Sequence, residues 1–429
     1  MEWQNPPAGS FENGLICMPP KPENARSLAW KALLRWNRGG VFAETLLARA
    51  VAEHKLTLSD RGLMQSIVYG TLRNLRLLEH LRYALRPGAL EEKMHWLVLA
   101  GLCELFILKH AEHAAVSETV KLAPARVRGV VNGMLRSATR RRAEFESALP
   151  TLPPAVRYSM PDWLTARWLR EFGEEEACAM MAWNLQTPPV YARLNPLKPM
   201  MPPADWSPHP DAPGWYRIAG ALPLEALEAG NLYVADPSTR HCIRLLAPQR
   251  GEIILDACAA PGGKSAAIIG ATLGDVRLLA TELEPHRLPQ LRENLRRAGG
   301  ESIQVAQHDW TRPCPEAWLG AFDAVLLDVP CSNSGVLQRR VDARWRMQEE
   351  EIERLSALQL QILERAAAAV RPGGRLVYST CSIDRQEDRG VVEAFLTTHP
   401  EFSLKEDYLA LPHREQADGA YAALLLRGD

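Results

Sequence analysis

The chain has 429 residues, 47% hydrophobic and 24% charged, enough for two or three domains with cores of their own. No apolar run reaches the ~18 residues that a membrane span needs, and the proline-rich first 22 residues lack the charged-then-apolar pattern of a secretion signal. The net charge of −1 conceals an asymmetry: residues 1–150 hold 21 Lys+Arg against 14 Asp+Glu (+7), which leaves 29 against 37 (−8) for the rest. A basic N-terminal third suggests a polyanion partner, whereas the bland reading is charge that only solvates helix faces. The eight cysteines are scattered with no C-x-x-C spacing. That argues against a disulfide framework or a metal site and for a reducing cytoplasm.

Residues 1–22 are expected to be disordered. From 23 to 149 the apolar spacing is helical, with expected helices over 25–34, 42–52, 62–85, 94–108, 115–122 and 126–137. No strand signal interrupts, so this region reads as an all-α bundle. His113-Ala114-Ala115-Val116-Ser117-Glu118-Thr119-Val120 and Val131-Asn132-Gly133-Met134-Leu135-Arg136 resemble the RNA-binding domain of the NusB family. Arg136, Arg140, Arg141 and Arg142 cluster at its end, where they could meet a phosphate backbone or merely complement a helix dipole.

A proline-rich linker follows at 149–154. Helices are expected over 162–172 and 174–184, then an alternating strand at 190–195. Residues 155–235 read as a small α+β module. Residues 236–429 read as a doubly wound α/β domain of Rossmann type. Its strands are expected at 252–257, 277–281, 302–307, 322–327 and 375–379. Long helices are expected over 285–298 and 348–370, the latter stopped by Arg371-Pro372-Gly373-Gly374. Residues 402–427 should add an antiparallel edge hairpin.

The first strand runs into Asp256-Ala257-Cys258-Ala259-Ala260-Pro261-Gly262-Gly263-Lys264. This is neither G-x-G-x-x-G nor a P-loop. The glycines nevertheless let backbone approach a ligand at the start of a helix. Asp256, Glu282, Asp309, Asp328 and Cys381 close successive strands at one edge, where open sheets bind ligands. One such acid is ordinarily a helix cap; four at one edge favour a site. Glu282 stands where an acid can take both hydroxyls of a ribose, and Asp309 where one can accept from an adenine amino group. Cys103, Cys178 and Cys242 read as small buried hydrophobes.

The strings Asp256 to Lys264, Asp328-Val329-Pro330-Cys331-Ser332 and Ser379-Thr380-Cys381-Ser382 resemble those of the RNA cytosine-5 methyltransferase family. Within it they are similar to the bacterial ribosomal RNA branch, which also carries a NusB-like domain first. The resemblance covers nearly the whole chain. It implies a class I S-adenosylmethionine-dependent fold and a cofactor wrapped by Cys258, Ala259, Ala260, Pro261, Gly262, Gly263 and Lys264. Glu282 would hold the ribose, Asp309 the adenine end, and Asp328 would lie beside the reacting centre. It further implies Cys381 as nucleophile and Cys331 as the cysteine that releases product. The partner would be RNA, with small-subunit ribosomal RNA foremost, and the protein a cytoplasmic monomer without a metal or a membrane.

This sequence departs from the family at four places, the first being Ala235-Asp236-Pro237-Ser238, where Gln-Asp-x-Ser is common. Asn333 stands where the family has glycine, Val341-Asp342 where it has Pro-Asp, and Glu387-Asp388-Arg389 where it favours Glu-Asn-Glu. They bear on the target nucleotide rather than the reaction class. An inactive RNA-binding or assembly factor is the alternative function, against which the intact cysteine pair speaks. Amino-group methylation ranks lower, because Cys331 occupies the place of a stacking aromatic ring.

Overall fold

The computed structural model describes residues 24–300 and 303–429. The segment expected to be disordered, and Ser302 at the start of one expected strand, lie outside the described residues. The chain forms two compact units. One comprises the described residues up to Thr71 together with Leu85–Arg140; the other comprises Leu72–Ala84 and Arg141–Asp429. This border falls differently from the expected domain border at 149–155. The helix expected over 62–85 is in fact two, Leu58–Arg73 and Leu75–Leu85. They part at Asn74, whose carbonyl opens the second helix by accepting from Leu78 N at 2.9 Å.

Among its described residues the first unit contains helices and no strand, from Ala25–Asn37 to Arg128–Arg140. Leu33, Met64, Leu97, Leu99, Leu102 and Leu135 are sealed from solvent at its centre. Helix Glu92–Leu102 continues into a π turn, Cys103–Ile107. That turn buries Glu104, which is matched by Arg26 (2.7 and 2.9 Å) and His110 (2.9 Å). A charge buried this deeply persists only when so paired.

The second unit begins its α+β portion with helix Asp162–Trp183, broken at Gly173 (φ 79°) as the expected pair of helices requires. A four-stranded antiparallel sheet follows, in the order Ser207–Pro208, Trp215–Arg217, Tyr191–Leu194, Leu232–Val234. The first two of these strands come from the stretch between 196 and 222, where proline hides any alternation.

The large sheet has seven strands: β1 Ile253–Asp256, β2 Arg277–Glu282, β3 Gln304–Gln307, β4 Phe322–Asp328, β5 Val370–Thr380, β6 Phe402–Ala410 and β7 Ala420–Arg427. Their order is β6-β7-β5-β4-β1-β2-β3. Strands β1 to β5 are parallel neighbours, and β7 and β6 run antiparallel at the edge. Side chains alternate across the pleat. Leu255, Val325 and Leu376 face helices Glu349–Ala367 and Arg389–Thr398. Ile254, Ala324, Leu326 and Val377 face helices Arg240–Leu246, Gly263–Ala271 and Leu288–Ala298. Burial on both faces explains why these strands are apolar almost without interruption. The order reverses between β1 and β4, which opens a crevice at the carboxyl ends of those strands.

One expectation at the sheet is corrected. Arg371-Pro372-Gly373-Gly374 does not separate helix from strand: the helix ends at Ala367 and β5 already starts at Val370. Val370 pairs with Phe322, and the register then slips between Phe322 and Ala324. The slip accommodates Pro372, which has no N–H to give a ladder, and Gly373 at φ 67°.

Candidate active site

The glycine loop is held from behind by neighbouring elements. Ala257 N donates to Leu326 O (2.9 Å) and Ala259 N to Thr281 O (2.8 Å). Arg287 and Asn294, from the next helical segment, donate to Ala260 O (2.9 Å) and Pro261 O (2.7 Å). Gly262 caps helix Gly263–Ala271 with φ 107°. A Cβ there would also stand 3.1 Å from Leu291 Cδ1, so both backbone and space call for glycine. Burial pushes the Cys258 thiol up, and its side chain packs on the sheet core.

The four acids do gather at this edge. Asp256 is sealed from solvent; its Oδ2 accepts from Ser265 Oγ at 2.5 Å, and its Oδ1 is buried without a partner. Burial pushes its pKa up to about 7, against the pull of the Ser265 bond. Glu282, at the end of β2, accepts from Glu284 N (3.1 Å) and lies 3.3 Å from Arg287. Asp309, just past β3, caps its own turn through Thr311 N (2.9 Å) and Oγ1 (2.7 Å), and these bonds lower its pKa. Asp328 closes β4 and accepts from Lys264 Nζ at 2.6 Å. Burial works against the Lys264 charge, but Asp328 beside it raises its pKa above the ordinary value. The residues fit S-adenosylmethionine. The orphaned Asp256 oxygen asks for a donor such as an ammonium, and Glu282 keeps lone pairs for two hydroxyls.

On the far side of Asp328 lies a second cluster. Cys331 Sγ and Cys381 Sγ are 3.1 Å apart, although the residues stand 50 positions apart in sequence. Val329 N donates to Ser379 O (3.0 Å), continuing the β4–β5 pairing toward both cysteines. The bond with Cys381, and then burial, raise the Cys331 pKa well above that of a free thiol. Asn333, in the left-handed region at φ 64°, donates to Cys331 O (2.9 Å) and accepts from Cys381 Sγ (3.4 Å). The departure from glycine thus ties the Cys331 carbonyl and the Cys381 sulfur to one amide. Gly335 keeps its family identity for a spatial reason: a Cβ would meet Gly419 O at 2.5 Å and Cys381 O at 2.8 Å.

All expected site residues from Cys258 to Lys264, with Glu282, Asp309, Asp328, Cys331 and Cys381, stand along the carboxyl edge of β1, β2, β3, β4 and β5. Sequence reasoning missed the support behind them: Ser265, Gln359 and Glu387. Ser265, one residue beyond the quoted loop, could have been found by asking what a buried Asp256 would bond. The arginine cluster is not uniform. Arg136 is tied to Asn132 (3.0 Å), and the Arg141 fork is filled by Glu144 (2.6 and 2.8 Å). Among the described residues no group of three or more His, Cys, Asp or Glu could hold a metal ion, and no helix is long and apolar enough to cross a membrane.

Comparison with known proteins agrees with this geometry. The family described as 16S rRNA methyltransferase RsmB/F matches residues 243–426, and the NusB family matches residues 23–140. The chain is 34% identical to ribosomal RNA small subunit methyltransferase B of Yersinia pseudotuberculosis, over 94% of this chain and 99% of that one. Two solved structures share the fold. PH0851 has a TM-score of 0.74 at 21% identity, covering 96% of this chain and 99% of that one. NSun6 from Pyrococcus horikoshii with SFG has a TM-score of 0.53 at 21% identity, covering 63% and 98%. A NusB-like helical domain, a mostly parallel seven-stranded sheet and an edge built for S-adenosylmethionine lead to one conclusion: the chain belongs to the RsmB/F family of ribosomal RNA methyltransferases, which are S-adenosylmethionine-dependent and act on RNA.

Proposed function

We propose that this enzyme methylates carbon 5 of a cytosine in small-subunit ribosomal RNA through a covalent bond between Cys381 and the base. The observation that carries the reading is the pair of sulfurs 3.1 Å apart beside Asp328. Carbon 5 of cytosine is a poor nucleophile. S-adenosylmethionine supplies the methyl group as a sulfonium. Cys381 gives its proton to solvent and its thiolate adds to carbon 6; this places an electron pair on carbon 5, and carbon 5 takes the methyl as the sulfonium becomes a neutral thioether. Asp328 hydrogen-bonds the polar edge of the ring and, carrying a proton there, steadies the negative charge of the adduct. Once Cys381 bonds carbon 6, the interaction that most raises the Cys331 pKa is lost; Cys331 gives its proton to solvent and, as thiolate, takes the proton from carbon 5. The electrons of that C–H bond restore the double bond, and Cys381 leaves as thiolate.

The remaining roles follow the same reading. Glu282 accepts from the ribose hydroxyls. Asp309 meets the adenine end with its Oδ2, since Oδ1 is occupied by Thr311. The backbone from Cys258 to Lys264 encloses the methionine portion. Residues 23–149 act as an RNA-binding domain, and the module at 155–235 helps to present the target, in a cytoplasmic protein.

The two cysteines act at different times, and this gives the test. Cys381→Ala gives neither methyl transfer nor adduct. Cys331→Ala attacks and methylates, then stalls, and denaturing gel electrophoresis with unmodified ribosomal RNA and cofactor shows a retarded protein–RNA band that the double variant lacks. A band with Cys381→Ala alone would reverse the two roles. No band and no transfer with the native protein, under any condition, would leave an RNA-binding factor instead.

A further inference from the structure

Glu387 is sealed from solvent, and donors fill its carboxylate. Oε1 accepts from Ser332 N at 2.8 Å and from Gln359 Nε2 at 2.9 Å. Oε2 accepts from Ser382 Oγ at 2.7 Å and from Ser332 Oγ. Gln359 Nε2 also donates to Pro330 O at 2.9 Å. Pro330 and Ser332, the two chain neighbours of Cys331, therefore hang on one Gln359–Glu387 frame. Ser382, the neighbour of Cys381, hangs on the same carboxylate. The frame is itself fixed, because Tyr378 OH donates to Glu387 O at 2.6 Å. Burial raises the Glu387 pKa, against the pull of these neutral donors.

The two cysteines depend on this frame unequally. Cys381 directly follows β5, which pairs with β4 on one side and with β7 on the other up to Thr380 and Tyr421. The two ladders hold it in addition to the Ser382 bond. Cys331 stands beyond the end of β4 in irregular chain, anchored upstream by Val329 N to Ser379 O and downstream by Gly335 N to Cys381 O. Between those points its position is set by the frame and by the local Asn333 amide, which donates to Cys331 O.

We propose that Glu387 is a positioning residue for product release, holding the Cys331 loop against the Cys381 loop so that the carbon 5 proton is removed in step with methylation. This rests on the release role of Cys331 given above. It predicts a specific fault: without the carboxylate, attack and methylation continue while release lags. A side chain that only supported the fold would lower adduct and product together.

Glu387→Gln in the full-length protein tests it. One acceptor oxygen becomes a donor amide, so at least one of the four buried donors loses its partner. With unmodified ribosomal RNA and cofactor, the fraction of protein in covalent adduct at steady state rises about tenfold over native. Calorimetric titration shows cofactor affinity unchanged, which reports the fold at the neighbouring loop. Ser332→Ala, which removes only the hydroxyl donor, raises the adduct less and in the same direction; if Glu387→Gln fails to bind cofactor, this variant decides. An adduct fraction equal to native in both, or a parallel fall of adduct and product, overturns the proposal. Cys331→Ala is run alongside: if it accumulates no adduct, the release role of Cys331 fails, independently of Glu387.

Discussion

The cofactor loop and the cysteine centre share one sheet edge but are built in opposite ways. The loop is nine consecutive residues, and every one of them serves the same turn from β1 into helix Gly263–Ala271. The centre is assembled from 328–335, Gln359 and 378–388, joined by a buried carboxylate. A contiguous motif needs no distant piece to bring its residues together, and its neighbours only brace its backbone from behind. An assembled centre depends on whatever holds its pieces together, and here that is a handful of hydrogen bonds closed to water, each expensive to leave unmade.

The sharpest way to break this contrast is the single bond that spans it. Lys264 belongs to the loop and Asp328 to the cysteine side, 2.6 Å apart and only partly exposed. Lys264→Met leaves the Asp328 carboxylate half-buried without its cation. Methyl transfer should fall about thirtyfold or more, equivalent to about 2 kcal/mol after allowing for the partial exposure. Single-turnover transfer measures it, and an unchanged rate would show that the two regions work independently.

A change confined to the cofactor side should stay there. Glu282→Ala is expected to weaken cofactor binding about tenfold or more, while RNA binding measured by filter retention stays near native. Equal losses of both would mean that the edge is one cooperative site rather than two neighbouring ones.

The smallest effect lies in the helical unit, distant from this edge in sequence. Arg136→Ala combined with Arg140→Ala should lower RNA affinity modestly and flatten its salt dependence by about one unit of slope for each phosphate contact removed. The same pair of changes should leave cofactor titrations alone. An unaltered slope would assign these arginines to surface solvation.

Legibility in the sequence follows the same division. The strands β1, β2 and β4 and the loop were readable because burial on both faces demands continuous apolar runs and a glycine turn demands glycine. The cysteines were readable through their flanking strings. Helix Arg389–Thr398 was not anticipated, since a ten-residue helix entered through polar loop residues gives little periodic signal. The break at Asn74 was also hidden, because apolar spacing continues across it from Leu72 to Leu75.

Sequence alone determined the fold class, the family and the set of groups that chemistry requires, since these depend on residue type and on spacing along the chain. The tertiary structure decided which of them meet. Nothing in the string Glu387-Asp388-Arg389 says that the first carboxylate turns inward to Ser332 and Ser382, or that Gln359, on a helix twenty-eight residues earlier, completes the frame. Hydrogen bonds of that kind arise only once β4 and β5 lie side by side and water is gone, because a buried donor must find its partner wherever the packing has put one.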